Sequence, residues 1–160
     1  MAADKNTIIL VLVFVCGLLT GCVLYGLLAP QPIHPVKQVG FTERAPDPIG
    51  PYSQAVQSGD FVFLSGQIGI DPATGNLSAT AEEQTTRAME NLHAVLQESG
   101  LGFEDVVSTR IYLTNMSDWT TVNGIYGSYF KDGYPARATV QVAGLPKGAK
   151  VEIEMVAQKR

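Results

Sequence analysis

The stretch GYPARATVQVAGLPKGAKVEIEMVA, residues 133–157, decides how the end of the chain folds. From Pro135 it alternates: Ala138, Val140 and Val142 face one way, and Arg137, Thr139 and Gln141 face the other. Beyond the turn-forming GLPKGA, Val151, Ile153 and Met155 alternate with Glu152 and Glu154. This pattern predicts two strands joined as a hairpin. Arg137 and Glu152 then stand out as charges on otherwise apolar-patterned strands. On composition alone, each reads most simply as a solvent-face or ion-paired charge.

Upstream, FVFLSG (61–66) reads as a buried strand, and a shorter alternation at 53–57 follows the Pro/Gly-rich loop RAPDPIGPYSQ (44–54). Thr80 and Glu83 form a capping-box pattern ahead of apolar residues at 88, 89, 92, 95 and 96, which predicts a helix over 80–99 closed by Gly100. VVSTRIYLTN (106–115) alternates as a strand, with Val107, Thr109, Ile111 and Leu113 on one side. Ser117 then caps a second helix over about 118–130, striped by Trp119, Val122, Tyr126 and Tyr129. Gly124 and Gly127 weaken that helix by about 1 kcal/mol each relative to Ala and suggest close packing against the sheet.

The order β-β-α-β-α-β-β predicts an α+β layer, a single sheet with two helices on one face. Val62, Leu64, Val140 and Val142 argue against a wholly wet second face, so the pattern predicts an oligomer.

Ahead of this domain (41–160) lie a Pro-rich linker (31–40) and an N-terminal region (1–30). Within it, residues 8–29 carry no charge, and as a helix they would span about 33 Å. The run is long for a cleaved secretory signal, and LTGC ending at Cys22 resembles a bacterial lipobox, but the sequence stays apolar after Cys22. The reading favoured here is an uncleaved single-pass membrane anchor through residues 8–29. Lys5 before the run against Lys37 and Arg44 after it makes the positive-inside count too thin to decide orientation, and the lean to an outward-facing, periplasmic domain comes from the short N-terminal tail.

Cys16 and Cys22 both fall in the apolar run, so the domain has no disulfide, thiolate ligand or cysteine nucleophile to draw on. The only histidines are His34 in the linker and His93, read as a helix-surface residue, too few for a His-based metal site or a Ser-His-Asp triad. A net charge of −4 argues against a nucleic-acid partner. Candidate chemistry therefore rests on Arg137, which can clamp a carboxylate, and Glu152, which can move a proton. In a hairpin these two would lie about 13 Å apart, so one site using both would draw them from different subunits.

PIGPYSQAV, FLSGQI, TVNGIYGSYF and PARATVQVAGLPKGAKVEIE, in this order, resemble the Rid (reactive intermediate deaminase) family over about residues 41–158. The resemblance implies a chorismate-mutase-like α+β fold, a homotrimer with sites between subunits, and no cofactor or metal. It implies hydrolytic deamination of short 2-imino acids, such as 2-iminopropanoate and 2-iminobutanoate, to 2-keto acids and ammonia. Arg137 would then grip the substrate carboxylate and Glu152 would activate water, while Tyr52, Ser65, Gly66 and Asn123 would line the pocket. Thr139 stands where many members carry Cys, which removes any thiol-dependent behaviour and bears on pocket size. The alternative implied by the same fold is a non-catalytic ligand-binding or chaperone-like trimer. Endoribonuclease activity fits poorly with the acidic balance and the lack of a basic, aromatic-interleaved patch.

Overall fold

A computed structural model describes residues 38–160 of the chain. Strands β1 (Gln38–Gly40), β2 (Ala55–Ser58), β3 (Phe61–Ile68), β4 (Val106–Leu113), β5 (Ala136–Gln141) and β6 (Val151–Gln158) form one sheet in the order β1-β2-β3-β6-β4-β5. Helices α1 (Ala81–Glu98) and α2 (Trp119–Ser128) cover one face of it. The single-sheet α+β architecture is the one expected.

The hairpin expected over 133–157 is not formed. β4 lies between β5 and β6, parallel to the first and antiparallel to the second. The β4–α2–β5 crossover brings its strands parallel, and a helical crossover does this wherever it returns to the same sheet. At the end of β4 the two neighbours separate. The Val142 N–H donates to the Leu113 carbonyl at 2.8 Å on one side, and the Thr114 N–H donates to the Lys150 carbonyl at 3.0 Å on the other. The intervening segment holds a 3-10 turn, Pro146–Gly148, with Lys147 at φ 55°.

Helix α1 follows its local signals. The Glu83 N–H donates to Thr80 Oγ1 and the Thr80 N–H donates to Glu83 Oε2, both at 3.1 Å. At the other end Ser99 is the cap and Gly100, at φ +73°, takes the left-handed position beyond it. There the Leu101 N–H reaches the Leu96 carbonyl at 2.9 Å. Met89, Leu92, Val95 and Leu96 pack on Val62, Leu64, Ile111, Ile153 and Met155 to form the core.

Three local expectations are corrected. Val107 is 40 % exposed, because a register shift between Val106 and Ser108 turns it away from Thr109, Ile111 and Leu113. Asn115, not Ser117, caps the turn that enters α2: its side chain accepts from the Ser117 N–H at 3.0 Å. Val62 and Leu64 belong to the helix-side core, so they do not furnish the second face.

That helix-free face is apolar through other residues. Paired positions put Val39, Val56, Phe63, Val156, Ser108 and Ala136 in one row across all six strands. Phe63 in this row is 49 % exposed, and Val140 nearby is 46 % exposed.

The membrane localisation expected from residues 8–29, whether by an anchor or by a lipidated Cys22, is corrected. Those residues lie outside the described ones. Among the described residues no helix is long and apolar enough to cross a membrane.

Candidate functional site

Arg137 sits on the edge strand β5, opposite Thr109 of β4. Thr109 is buried against the helices, so Arg137 projects on the helix side of the sheet. Its Nη2 donates to Asn123 Oδ1 of α2 at 2.8 Å, and its Cζ lies 4.9 Å from the centroid of the Tyr126 ring. The Tyr126 hydroxyl donates in turn to Thr109 Oγ1 at 3.1 Å. The guanidinium is thus aimed from two sides while the rest of it stays open.

It borders a recess of about 680 Å³, walled by Asn123, Gly124, Gly127, Tyr134 and Pro135. A methyl at Gly124 would meet nothing within 4 Å, and one at Gly127 would only touch the Tyr134 ring at 3.9 Å. These glycines therefore widen the recess and do not serve close packing against the sheet, as their spacing had suggested. Thr139 lies further along β5, opposite Ile111 and half-buried, and is not part of the recess wall.

Glu152 lies on β6 with Tyr112 and Ile68 as its paired neighbours, and its alternation with buried Val151 and Ile153 puts it on the helix-free face. With Ile49, Tyr52, Ser65, Gly66 and Glu154 it lines a second recess of about 280 Å³. A register shift between Leu64 and Gln67 brings Ser65 and Gly66 against it. A Cβ on Gly66 would overlap Glu152 Oε1 and sit 2.8 Å from its Cδ, so only glycine leaves room for this carboxylate. Burial, and secondarily the negative charge of Glu154, hold the Glu152 carboxyl above its ordinary pKa.

The recess wall is braced from behind. The Ser65 hydroxyl donates to the Ser53 carbonyl at 2.6 Å, and the Ser65 N–H donates to the Gln54 carbonyl at 2.9 Å. Gln54, which the sequence reading passed over, is buried and laces the preceding loop. Its Oε1 accepts from the Thr42 N–H at 2.7 Å, and its Nε2 donates to the carbonyls of Thr42 and Pro46 at 3.0 and 2.9 Å. Its signal was available: an amide side chain directly before a strand, where a Pro-rich loop needs donors for its carbonyls. Tyr52 caps the same recess, its hydroxyl accepting from the Ile49 N–H at 3.4 Å.

Tyr52, Ser65, Gly66 and Glu152 are thus brought together, and so are Asn123 and Arg137, but the two groups stay apart. Arg137 opposes Thr109, which opposes Met155, three positions from Glu152. Two strand spacings and three residues give about 14 Å, and the two side chains leave opposite faces of the sheet. The separation expected from a hairpin therefore holds for a different reason. Among the described residues, no cluster of His, Cys, Asp or Glu could hold a metal ion.

Fold and recesses define a single-sheet α+β protein with two polar centres, an exposed, aimed guanidinium and a half-buried carboxylate of raised pKa. The family model described as Endoribonuclease L-PSP matches residues 42–159, and the chain belongs to that family, the Rid/RutC group that its motifs resemble. It is 46 % identical to the human 2-iminobutanoate/2-iminopropanoate deaminase, over 76 % of this chain and 90 % of the relative. A RutC family protein of Pyrococcus abyssi is 47 % identical over 77 % of this chain and 98 % of its own length. The crystal structure of E. coli TdcF with bound serine superposes with a TM-score of 0.75 at 39 % identity, over 77 % of this chain and 99 % of that one. The match to the family begins after the apolar run on which the membrane expectation rested, and that expectation is withdrawn.

Proposed function

We propose that this protein hydrolyses short 2-imino acids to 2-keto acids and ammonia, in sites closed between copies of a homotrimer. The observation that carries the reading is Glu152, half-buried against Gly66, with a carboxyl held above its ordinary pKa and open to a small recess. A carboxylate of raised pKa is a better base near neutrality and can hold a proton between two steps. Arg137, held by Asn123 and Tyr126, supplies a fixed cation for a carboxylate. Serine, bound in the E. coli relative, carries the α-carboxylate and α-nitrogen that a 2-imino acid also carries. The deaminase names of the human and mouse relatives support the same chemistry.

On this reading Arg137 of one copy grips the substrate carboxylate while Glu152 of a neighbouring copy holds a water beside C2. The water oxygen bonds to C2 of the protonated imine (C=NH2+), its proton passes to Glu152, and the C=N π pair becomes the lone pair of a neutral amino group. Glu152 then protonates that nitrogen, the C–N bond breaks with its electrons leaving on ammonia, and the hydroxyl proton is released as the ketone forms. Orienting the two reactants supplies much of the acceleration. The apolar row through Val56, Phe63 and Val156 is the surface that a neighbouring copy would cover.

The test generates 2-iminobutanoate in situ and follows keto-acid release by the full chain and by Arg137→Ala and Glu152→Gln. Both variants should be inactive alone. Mixed and reassembled in equal amounts, they should recover turnover at about a quarter of the sites, those pairing an intact arginine with an intact glutamate. No acceleration by the wild type, or equal rates from the Arg137→Ala variant, would overturn the reading. Ligand binding without turnover would favour the non-catalytic trimer.

A further inference from the structure

On the helix-free face, Arg110 of β4 stands opposite Glu154 of β6, and its Nη1 donates to Glu154 Oε1 at 2.5 Å. Glu154 follows Glu152 by two positions on the same face, and both carboxylates line the recess that holds Tyr52, Ser65 and Gly66. In a single copy the arginine side chain is 61 % exposed and that of Glu154 is 31 % exposed. Such surface pairs contribute little to stability. Their fields still act on a half-buried neighbour a short distance away.

We propose that the paired Arg110 and Glu154, set beside Glu152 on the same face and in the same recess, govern the pH dependence of this site, Glu154 presenting a negative charge to Glu152 and Arg110 the positive charge that offsets it. The proposal rests on Glu152 being the base of the imine hydrolysis, and it adds how that base is tuned by residues that touch neither substrate nor water. They are positioning residues in an electrostatic sense. Two strand positions place the Glu152 and Glu154 backbones about 7 Å apart, with β4 closing one side.

The other polar groups around Glu152 do not carry this role. Tyr112, directly across β4, has a hydroxyl pushed upward in pKa by burial and stays neutral at working pH. From β3, Ser65 and Gly66 bring no charge, and from the 49–52 loop only the Tyr52 phenol approaches. Lys150, two positions before Glu152, and Arg137 of a neighbouring copy add fields common to every variant below.

The experiment uses the full chain and two readouts. The first is titration of the Glu152 carboxyl by ¹³C resonance in wild type, Glu154→Gln, Arg110→Gln, the double variant and Arg110→Lys. The second is the pH profile of 2-iminobutanoate hydrolysis. Glu154→Gln should move the Glu152 midpoint and the acid limb to lower pH. Arg110→Gln should move both to higher pH, the double variant should lie between, and Arg110→Lys should match wild type. One charge at this distance corresponds to about a threefold change in rate on the acid limb. Should Arg110→Gln dissociate the assembly, the neutral Arg110→Met takes its place, with the same upward shift expected, and Glu154→Gln decides the sign for Glu154.

Midpoints that do not move, or that move the same way in Glu154→Gln and Arg110→Gln, overturn the tuning, whatever the turnover. A wild type without turnover whose midpoints shift in the stated order refutes the deaminase reading and leaves the tuning standing.

Discussion

Replacing Gly66 with Ala separates the site from the fold. The new methyl would overlap Glu152 Oε1 and lie 2.8 Å from Cδ and 3.0 Å from Cγ. Gly66 does not have a positive φ, so alanine suits its backbone. What must yield is the end of a flexible side chain, and a rotated Glu152 costs about 0.5–1.5 kcal/mol in rotamer strain. The fold should stay intact, with a melting temperature within a few degrees of wild type. The carboxylate, however, must move by about 1 Å or more, and a misplacement of that size costs about 100-fold in rate. That is about 2.7 kcal/mol in the barrier. The assay compares kcat/KM for 2-iminobutanoate with thermal unfolding, using Gly69→Ala as the inverse control. A methyl at Gly69 would overlap the Gln84 Cα, backbone of α1 that cannot rotate away. That variant should lose about 1–3 kcal/mol of stability as α1 is displaced. A folded Gly66→Ala protein within twofold of wild-type turnover would refute the placement of Glu152 at the reacting centre.

Asn123→Ala frees one side of the Arg137 guanidinium and should raise KM about tenfold with a smaller change in kcat, since bonds to charged groups are worth about 1.5–3 kcal/mol; an unchanged KM in steady-state kinetics refutes the clamp. Phe63→Lys puts a charge in the apolar row of the helix-free face and should give folded single copies without turnover, read by light scattering and circular dichroism. An assembled, active Phe63→Lys protein would remove that face from the interface. Glu152 has a raised folded-state pKa, so its native form keeps a proton that the unfolded chain loses. Stability therefore falls as pH rises from the ordinary carboxylate range through the folded pKa, and the penalty persists above it. Glu152→Gln should accordingly gain stability over wild type between pH 4 and pH 8 in urea titrations; an equal difference at both pH values contradicts the desolvation argument.

How much of this was legible depended on how local the determining physics was. The ends of α1 were readable because Thr80, Glu83 and Gly100 act within one turn of themselves. The start of α2 was legible to within a residue, but its cap was not: Asn115 caps the 3-10 turn Met116–Asp118 that leads into it, and α2 itself begins at Trp119 without a side-chain cap. The bulge that exposes Val107 leaves no mark in the alternation of β4, which continues in phase after it. Gly124 and Gly127 carry a helix-weakening signal in sequence, but whether they admit a sheet or a ligand depends on what stands opposite. Gln54 fell between two readable features, a proline-rich loop and a strand, and its role appears only in the carbonyls it reaches.

Alternation fixes which residues of a strand share a side, but not which side of the sheet that is. In β6 the apolar set, Val151, Ile153 and Met155, faces the helices and the glutamates face away. In β5 the assignment is reversed: Arg137 and Thr139, in register with buried Thr109 and Ile111, face the helix side, and Val140 faces away. The reversal is possible because β5 is the edge strand, where a guanidinium beside Asn123 and Tyr126 remains in contact with water. A hairpin reading hides this, because it treats the two strands as neighbours with one common inside. Once β4 is placed between them, Arg137 and Glu152 point to opposite faces, and no side-chain rotation within one copy can bring them to one small substrate. The proposed activity therefore requires the helix-free face of one copy to meet the β5 edge of another, so assembly and turnover should be lost together.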